Sequence, residues 1–402
     1  MLKKINGCDI YIYLWVIYNL QGVLYSAGII NRILQLIMLI WLVYVTFKCI
    51  INKLRSPILK TTICLVIMYC LYGGWIILFG SNALTFKGDS VAEYLYLQNS
   101  LNSLLPIFLF YYYTQKGLLN SERIVSYTII IVITSILSYY KYNNNAILKF
   151  GNDEIVNNMS YLFISIIPFI YFFNKKTLLQ YILLGIIAFY MLMGMKRGAI
   201  ILGTVSLLFF LYNNTKSIKG PRKVFIVIIT TVFIIIGVYY ISSLIHNNEL
   251  FNTRIADTIE GNSSNRDMLY SQFWNIIKNE TNPLIFIFGR GANATVRILG
   301  SYAHQDWLET MINNGIIGVL LLICFYLSIF KAAYSSRKKF SRPMSCSFLT
   351  LVFIIFCKTM FSMSIQGMFM YEGLLLGYFT YWNTQPNLVY NNNVITQKGN
   401  IF

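Results

Sequence analysis

Three short stretches of the sequence carry side chains that could bind or activate a polar substrate. The first is GMKRGAI, in which Lys196 and Arg197 stand between two strongly apolar segments. The second, NSSNRDMLYSQFW, contains Arg266, and the third begins at GRGANA with Arg290 and continues to His304. Arginine presents a planar fork of N–H donors that suits phosphate oxygens, and histidine exchanges a proton near neutral pH. These residues are therefore candidates for binding an anionic group and for proton transfer.

The elements that must position these residues are apolar helices. Of the 402 residues, 57% are hydrophobic and only 11% are charged, which is too apolar for a soluble domain of this size. A helix needs roughly 20 apolar residues to cross a bilayer. By this criterion the sequence predicts twelve membrane-spanning helices. Their approximate bounds are 8–26, 33–51, 61–79, 97–114, 124–140, 159–173, 178–195, 198–212, 224–245, 312–330, 346–361 and 366–382.

The predicted fold class is therefore an all-α polytopic membrane protein with one long extracytoplasmic loop between the ninth and tenth helices. The first nine helices occupy residues 1–245, and the loop, which has short amphipathic helices, occupies 246–311. The last three helices occupy 312–382, and a cytoplasmic tail follows at 383–402. The lipid bilayer is thus a predicted partner of the chain.

The formal net charge of +18 follows this topology. With the N-terminus in the cytoplasm, most lysines and arginines fall in inner loops and most acidic residues fall in outer loops, as the positive-inside rule requires. The charge therefore indicates orientation, and nucleic acid is not a predicted partner. Both termini are predicted to be cytoplasmic, and all three candidate stretches lie on the outer face.

Each candidate stretch can also be explained without a catalytic or binding function. Lys196 and Arg197 would suit an ordinary polar turn, Arg266 a solvated loop, and His304 a structural hydrogen bond. However, two adjacent cations on the translocated side of a membrane oppose the usual charge bias and so need a reason. The aromatic Trp307 could stack on a sugar ring or belong to the interfacial belt of aromatic residues.

Neither a metal site nor a cofactor is predicted. All seven cysteines lie in or beside predicted spans, so they form no zinc site in an outer loop. The outer loops also contain no Asp-X-Asp motif that would hold a metal ion.

The third stretch, HQDWLETMINNGIIG, resembles the signature of the O-antigen polymerase and ligase superfamily. The matching residues are His304, Trp307, Leu308, Glu309, Gly315, Ile316, Ile317 and Gly318. The KRGA segment at 196–199 is similar to the Ser-Arg-Gly segment that the family has at a helix junction, although Lys196 replaces the usual serine. Arg266, followed by Trp274, is similar to the family's loop arginine. Asn313 stands where many relatives carry an acid.

The resemblance, which covers residues 195–318, implies a metal-independent glycosyltransferase of the C-type membrane fold. Its donor would be an oligosaccharide linked to a polyprenyl (undecaprenyl) diphosphate, used at the outer face of the cytoplasmic membrane. Arg197 and Arg266 would bind the diphosphate, and His304 would orient or deprotonate the acceptor hydroxyl. Further substrate contacts, or support for them, would come from Arg290, Lys196, Trp307 and Glu309.

Two activities within that superfamily differ in the acceptor that they use. A polymerase of O-antigen or capsular polysaccharide elongates a lipid-linked chain, sometimes beside a membrane protein that regulates chain length, whereas a ligase transfers the glycan to lipid A core or protein. We expect a polymerase. A flippase or transporter is the alternative from another class, and it would need functional charges within its spans. Lys358 and Glu372, in adjacent spans, are predicted to form a structural salt bridge instead.

Overall fold

The computed structural model shows a mostly helical protein. The residues that it describes are 5–21, 28–79, 83–84, 90–91, 94–150, 156–173, 176–217, 221–247, 249, 252–253, 256, 266–362, 365, 370–385, 388–391 and 394–397. In the first part of the chain, helices α1 to α6 are Gly7–Asn19, Ile29–Ile51, Pro57–Phe79, Tyr94–Leu104, Pro106–Gln115 and Ser121–Phe150.

The remaining helices continue this arrangement. Helices α7 to α11 are Ser160–Ile164, Ile167–Ile170, Thr177–Met193, Arg197–Ser217 and Pro221–Asn247, with a 3-10 turn at Tyr171–Phe173 after α8. Helices α12 to α17 are Arg266–Lys278, Pro283–Phe288, Ala294–Leu299, Asp306–Lys339, Arg342–Phe361 and Met370–Thr384. Two small antiparallel hairpins pair Ala83–Leu84 with Ser90–Val91, and Leu388–Asn391 with Val394–Gln397.

Seven helices in the described part of the chain are long and apolar enough to cross a membrane. They are Ile29–Ile51, Pro57–Phe79, Ser121–Asn145, Arg197–Lys216, Ile226–Asn247, Asp306–Lys339 and Arg342–Phe361. Several present an apolar surface outward. In α11, for example, Ile228, Ile235 and Val238 are each more than half exposed, as expected for side chains that face lipid. These helices support the prediction of a membrane protein. The other five predicted spans remain predictions.

Those five spans fall on helices that are short or interrupted. The first and the last correspond to α1, with 13 residues, and α17, with 15. The fourth is divided between α4 and α5 at Pro106, and the sixth is interrupted near Pro168. Proline lacks the N–H that a helix interior requires, so an apolar run that contains it need not form one long helix. The seventh corresponds to α9, with 17 residues.

Helix α15 carries the break that shapes the candidate site. Gly315 has φ 65° and ψ −164°, a conformation that interrupts the helix and suits glycine. The carbonyls of Ile312 and Asn313 accept hydrogen bonds from the backbone N–H groups of Arg290 (2.8 Å) and Gly291 (3.0 Å). A Cβ atom on Gly289 would lie 2.5 Å from the Asn313 carbonyl oxygen. The GRG turn thus packs directly into the helix break.

The predicted Lys358–Glu372 salt bridge is confirmed. The Lys358 Nζ lies 2.8 Å from Glu372 Oε1, and the two side chains are 2% and 0% exposed. Ser165 donates its hydroxyl to the same carboxylate oxygen, so the pair joins α16, α17 and the turn between α7 and α8. This ion pair lies inside the helical bundle, where burial of either charge alone would be costly.

Helix α17 packs against α5 at unusually short range. A Cβ atom on Gly377 would lie 2.5 Å from the carbonyl oxygen of Ile107, so a larger residue would separate the two backbones. Small residues allow this close approach between helices in membranes, where packing replaces the hydrophobic effect as the driving force. The contact fixes the C-terminal helix beside the middle of the bundle.

Candidate functional site

The turn that carries Lys196 and Arg197 separates two helices. Helix α9 ends at Met193 and α10 begins at Arg197. The intervening backbone is tightly packed: Met195 has φ 50°, and the carbonyl of Gly194 accepts a hydrogen bond from the Asn157 N–H at 2.9 Å. The segment before α7 therefore holds this turn in place.

His304 lies in the turn between α14 and α15, with φ 53°. Its position depends on Glu309, which is 3% exposed. The carboxylate accepts hydrogen bonds from the N–H of Ala303 (2.8 Å), the hydroxyl of Thr295 (2.5 Å) and the side-chain amide of Asn313 (2.9 Å). Glu309 thus fixes the backbone immediately before His304. The supporting function of Glu309 in the reaction stays a prediction.

Two cations act on His304. Its side chain is exposed, yet surrounding protein atoms desolvate the ring, and this desolvation lowers the pKa below the ordinary value of 6.5. The positive charges of Arg266 and then Lys196 lower the pKa further. The structure therefore brings together one residue from each of the three candidate stretches. We call Lys196, Arg266 and His304 the His304 cluster.

Arg266 begins α12 and spans the gap to another helix. Its Nη1 donates a hydrogen bond to the carbonyl oxygen of Phe361, at 3.1 Å, at the C-terminus of α16. This end of a helix carries partial negative charge, which favours a cation. Arg266 also donates a hydrogen bond to the hydroxyl oxygen of Tyr270, one turn further along α12. Phe273 on this helix is fully buried and Trp274 is exposed, as the amphipathic pattern of the sequence indicates.

Arg197 directly follows Lys196 and is the first residue of α10. Its side chain is partly buried. Because it adjoins the His304 cluster along the chain, it stands at the edge of the same region.

Arg290 is engaged elsewhere. Its guanidinium forms an ion pair with Glu280, and its backbone N–H bonds into the break of α15. It is not among the charges that shift the pKa of His304. Trp307 is likewise held within the bundle, because its Nε1 donates to the Thr359 hydroxyl at 3.0 Å and its ring centroid lies 5.9 Å from that of Tyr326.

The structure adds Tyr161, which the sequence analysis did not single out. Its side chain is 4% exposed, and its hydroxyl group has no hydrogen-bond partner within the described residues. Arg266 is close enough to interact with it electrostatically. With 31 tyrosines in the chain, no sequence signal distinguishes this one.

Two large grooves lie apart from the His304 cluster. One, of about 490 Å³, lies between α2, α3 and α4, and its mostly apolar wall includes the polar residues Arg32, Gln35 and Gln98. The other, of about 810 Å³, lies between α2 and α5, with Lys48 and Lys116 in its wall. Within the described ranges, no group of three or more His, Cys, Asp or Glu residues could hold a metal ion.

Comparison with known proteins does not identify the chain. No model of a known protein family matches the sequence, and no curated protein is significantly similar to it. The resemblance to the O-antigen polymerase and ligase superfamily therefore rests on the quoted motifs.

Proposed function

We propose that this protein is a membrane glycosyltransferase that uses a polyprenyl-diphosphate-linked oligosaccharide as its donor. The observation that carries the proposal is the His304 cluster, in which Arg266 and Lys196 act on one histidine although the three residues come from separate parts of the sequence. Two cations beside a histidine of lowered pKa suit a reaction with an anionic leaving group and a hydroxyl nucleophile.

The donor chemistry explains the need for cations. Glycosyl transfer passes through an oxocarbenium-like state, while negative charge develops on the departing diphosphate. Arg266 and Arg197 bind this diphosphate, and Lys196 adds positive charge. Arg290 is a weaker candidate because Glu280 already pairs with its guanidinium. Protein cations then stabilise the leaving group, as a bound metal does in other enzymes.

The acceptor chemistry assigns a different task to His304. A histidine with a lowered pKa is mostly neutral at pH 7, so it can accept the proton of an acceptor hydroxyl as that oxygen attacks the anomeric carbon. Glu309 and Ala303 position the ring through the bond to the backbone. His304 is thus the general base, and Glu309 is a positioning residue.

Among enzymes with this donor, we propose a polymerase of O-antigen or capsular repeat units in the cytoplasmic membrane, with the His304 cluster on the outer face and both termini in the cytoplasm. A ligase would differ only in its acceptor. The transporter alternative would need a functional intramembrane charge, and the buried Lys358–Glu372 pair has the geometry of a structural ion pair.

The test is reconstitution of the purified full-length protein with a polyprenyl-diphosphate-linked repeat unit alone. We expect longer lipid-linked chains in EDTA, without a nucleotide sugar and without an ion gradient. Elongation only after addition of lipid A core would identify a ligase. Loss of the reaction in EDTA, with recovery on adding a divalent metal, would contradict stabilisation of the leaving group by arginine. Transport of the lipid-linked unit with no new glycosidic bond would identify a flippase.

A further inference from the structure

The hydroxyl group of Tyr161 is buried and unpaired in the part of the chain that the structure describes. The side chain is 4% exposed, and its oxygen has no hydrogen-bond partner there. A buried hydroxyl without a partner is costly, because it has lost its hydrogen bonds to water. Such a group in a native protein suggests a ligand that completes its hydrogen bonding.

This hydroxyl points at the N-terminus of α10. A Cβ atom on Gly198, the second residue of this 21-residue helix, would lie 2.5 Å from the Tyr161 oxygen and 3.1 Å from the Cβ of Phe361. Any side chain at position 198 would therefore collide with the hydroxyl. The absence of a side chain lets the Tyr161 hydroxyl approach the first turn of α10 closely.

The helix terminus offers further hydrogen-bond donors. The first intrahelical bond at this end runs from the Ile200 N–H to the Lys196 carbonyl, at 2.9 Å. The N–H groups of Gly198 and Ala199 precede it, so the helix supplies no carbonyl for them, and no other described residue accepts from them. Free N–H groups and the helix dipole together favour an anion at this position.

Arg266 adds a full positive charge to the same place. It interacts electrostatically with Tyr161, and its hydrogen bond to the Phe361 carbonyl holds it beside the residue that Gly198 approaches. Its charge also acts on His304. Tyr161, the α10 terminus and Arg266 therefore lie around Phe361, and the charge of Arg266 also reaches His304.

We propose that Tyr161, the N–H groups of Gly198 and Ala199, and Arg266 form an anion site that binds one phosphate group of a diphosphate. Tyr161 donates its hydroxyl proton to a phosphate oxygen, and Arg266 provides the charge. The identity of the ligand as the leaving group of a lipid-linked donor rests on the proposed function, whereas the binding of an anion does not.

Binding by the full-length protein in detergent micelles tests this site, measured by isothermal titration with farnesyl diphosphate and, separately, inorganic pyrophosphate. Tyr161→Phe removes only the hydroxyl, and Gly198→Ala places a methyl group against the Tyr161 hydroxyl and displaces it from the helix terminus. We expect each to weaken binding by about tenfold or more, the loss typical of a hydrogen bond to a charged group. Tyr139→Phe, at another buried tyrosine, and Gly237→Ala, where no atom lies within 4 Å, are the matched controls.

Tighter binding of farnesyl diphosphate than of pyrophosphate would support the site and identify a lipid-linked diphosphate as its ligand. Equal binding of the two probes would support the site and identify the free anion as the ligand. Wild-type protein that binds neither probe would overturn the proposal. So would Tyr161→Phe and Gly198→Ala proteins that remain folded, by size-exclusion chromatography and thermal unfolding, and bind like wild type.

The proposed function and the anion site can be refuted separately. If the wild-type protein binds farnesyl diphosphate in a Tyr161-dependent manner but elongates no lipid-linked chain, the anion site stands and the polymerase assignment is wrong. If the wild-type protein elongates chains and Tyr161→Phe changes neither binding nor rate, the polymerase stands and the anion site is wrong.

Discussion

Glu309 accepts a hydrogen bond from the backbone N–H of Ala303 at 2.8 Å, and this bond fixes the residue directly before His304. The same carboxylate binds Thr295 and Asn313 through its other oxygen. One buried carboxylate thus joins the break-bearing helix α15 to α14 and to the turn that carries the histidine. The position of His304 therefore depends on a residue five positions further along the chain.

Replacement of Glu309 by glutamine tests this dependence. A glutamine has a single acceptor oxygen, so its amide group would face either the Ala303 N–H or the pair of donors on the other side. We expect chain elongation to fall by about tenfold or more in kcat, with little change in KM for the lipid-linked donor, because the base loses its alignment while the cations remain. Glu122→Gln, at an exposed carboxyl group on α6, is the control. A change confined to KM would contradict the positioning function.

The pH dependence of elongation should report the lowered pKa of His304. Desolvation of the ring and the charges of Arg266 and Lys196 lower this pKa, so the ring loses its proton below the ordinary 6.5 and stays neutral above it. The rate should therefore be level at neutral pH and decline as the pH falls through a midpoint below 6.5.

Removal of one neighbouring cation should move that midpoint. Lys196→Met takes away a charge that lowers the pKa, so the acid limb, normalised to the plateau of this variant, should shift to higher pH. Lys53→Met, at an exposed lysine, should leave the midpoint where it is in wild type. If both variants have the wild-type midpoint, the residue that titrates is not beside Lys196.

The three residues proposed to act directly on the substrate should each be indispensable. Arg197→Ala, Arg266→Ala and His304→Ala should each reduce elongation by about a hundredfold or more at normal protein levels, the usual effect of removing one stabilising contact to a charged transition state. Lysine should restore little at either arginine, because a point charge does not reproduce a bidentate phosphate contact. Arg55→Ala, at an exposed arginine, should be nearly neutral. Near-normal chain lengths in two of the three alanine variants would refute the assignment.

Local sequence patterns predicted several features of the fold but few of its long-range contacts. Apolar runs located the long helices, and opposite charges in neighbouring runs predicted the Lys358–Glu372 pair. Hydropathy alone ignores the interruption at Pro106, which divides one predicted span into two short helices. It also contains no information on the approach of Gly198 to Tyr161, which depends on how α7 and α10 pack together.

In the candidate site, too, the sequence predicted residues but not their long-range contacts. The motifs indicated Lys196, Arg266 and His304, and the structure brings these residues within electrostatic reach of one another. The pairing of Arg290 with Glu280 was not predicted, since it depends on how α13 packs into the break at Gly315. Spacing along the chain identifies candidate residues, whereas tertiary packing determines which of their charges are already satisfied.

The buried ion pair distinguishes a structural from a transport function for the intramembrane charges. Lys358→Met leaves Glu372 buried without its cation, which should cost about 3–5 kcal/mol of stability. The double variant Lys358→Met with Glu372→Gln removes both charges, so it should regain most of the thermal stability that the single variant loses, as measured by unfolding in detergent. Because the pair is proposed to hold α16 against α17 and not to move an ion, the double variant should elongate chains at a rate within about threefold of wild type. A double variant that is as stable as wild type yet elongates no chains would show that these charges take part in the reaction and are not only structural.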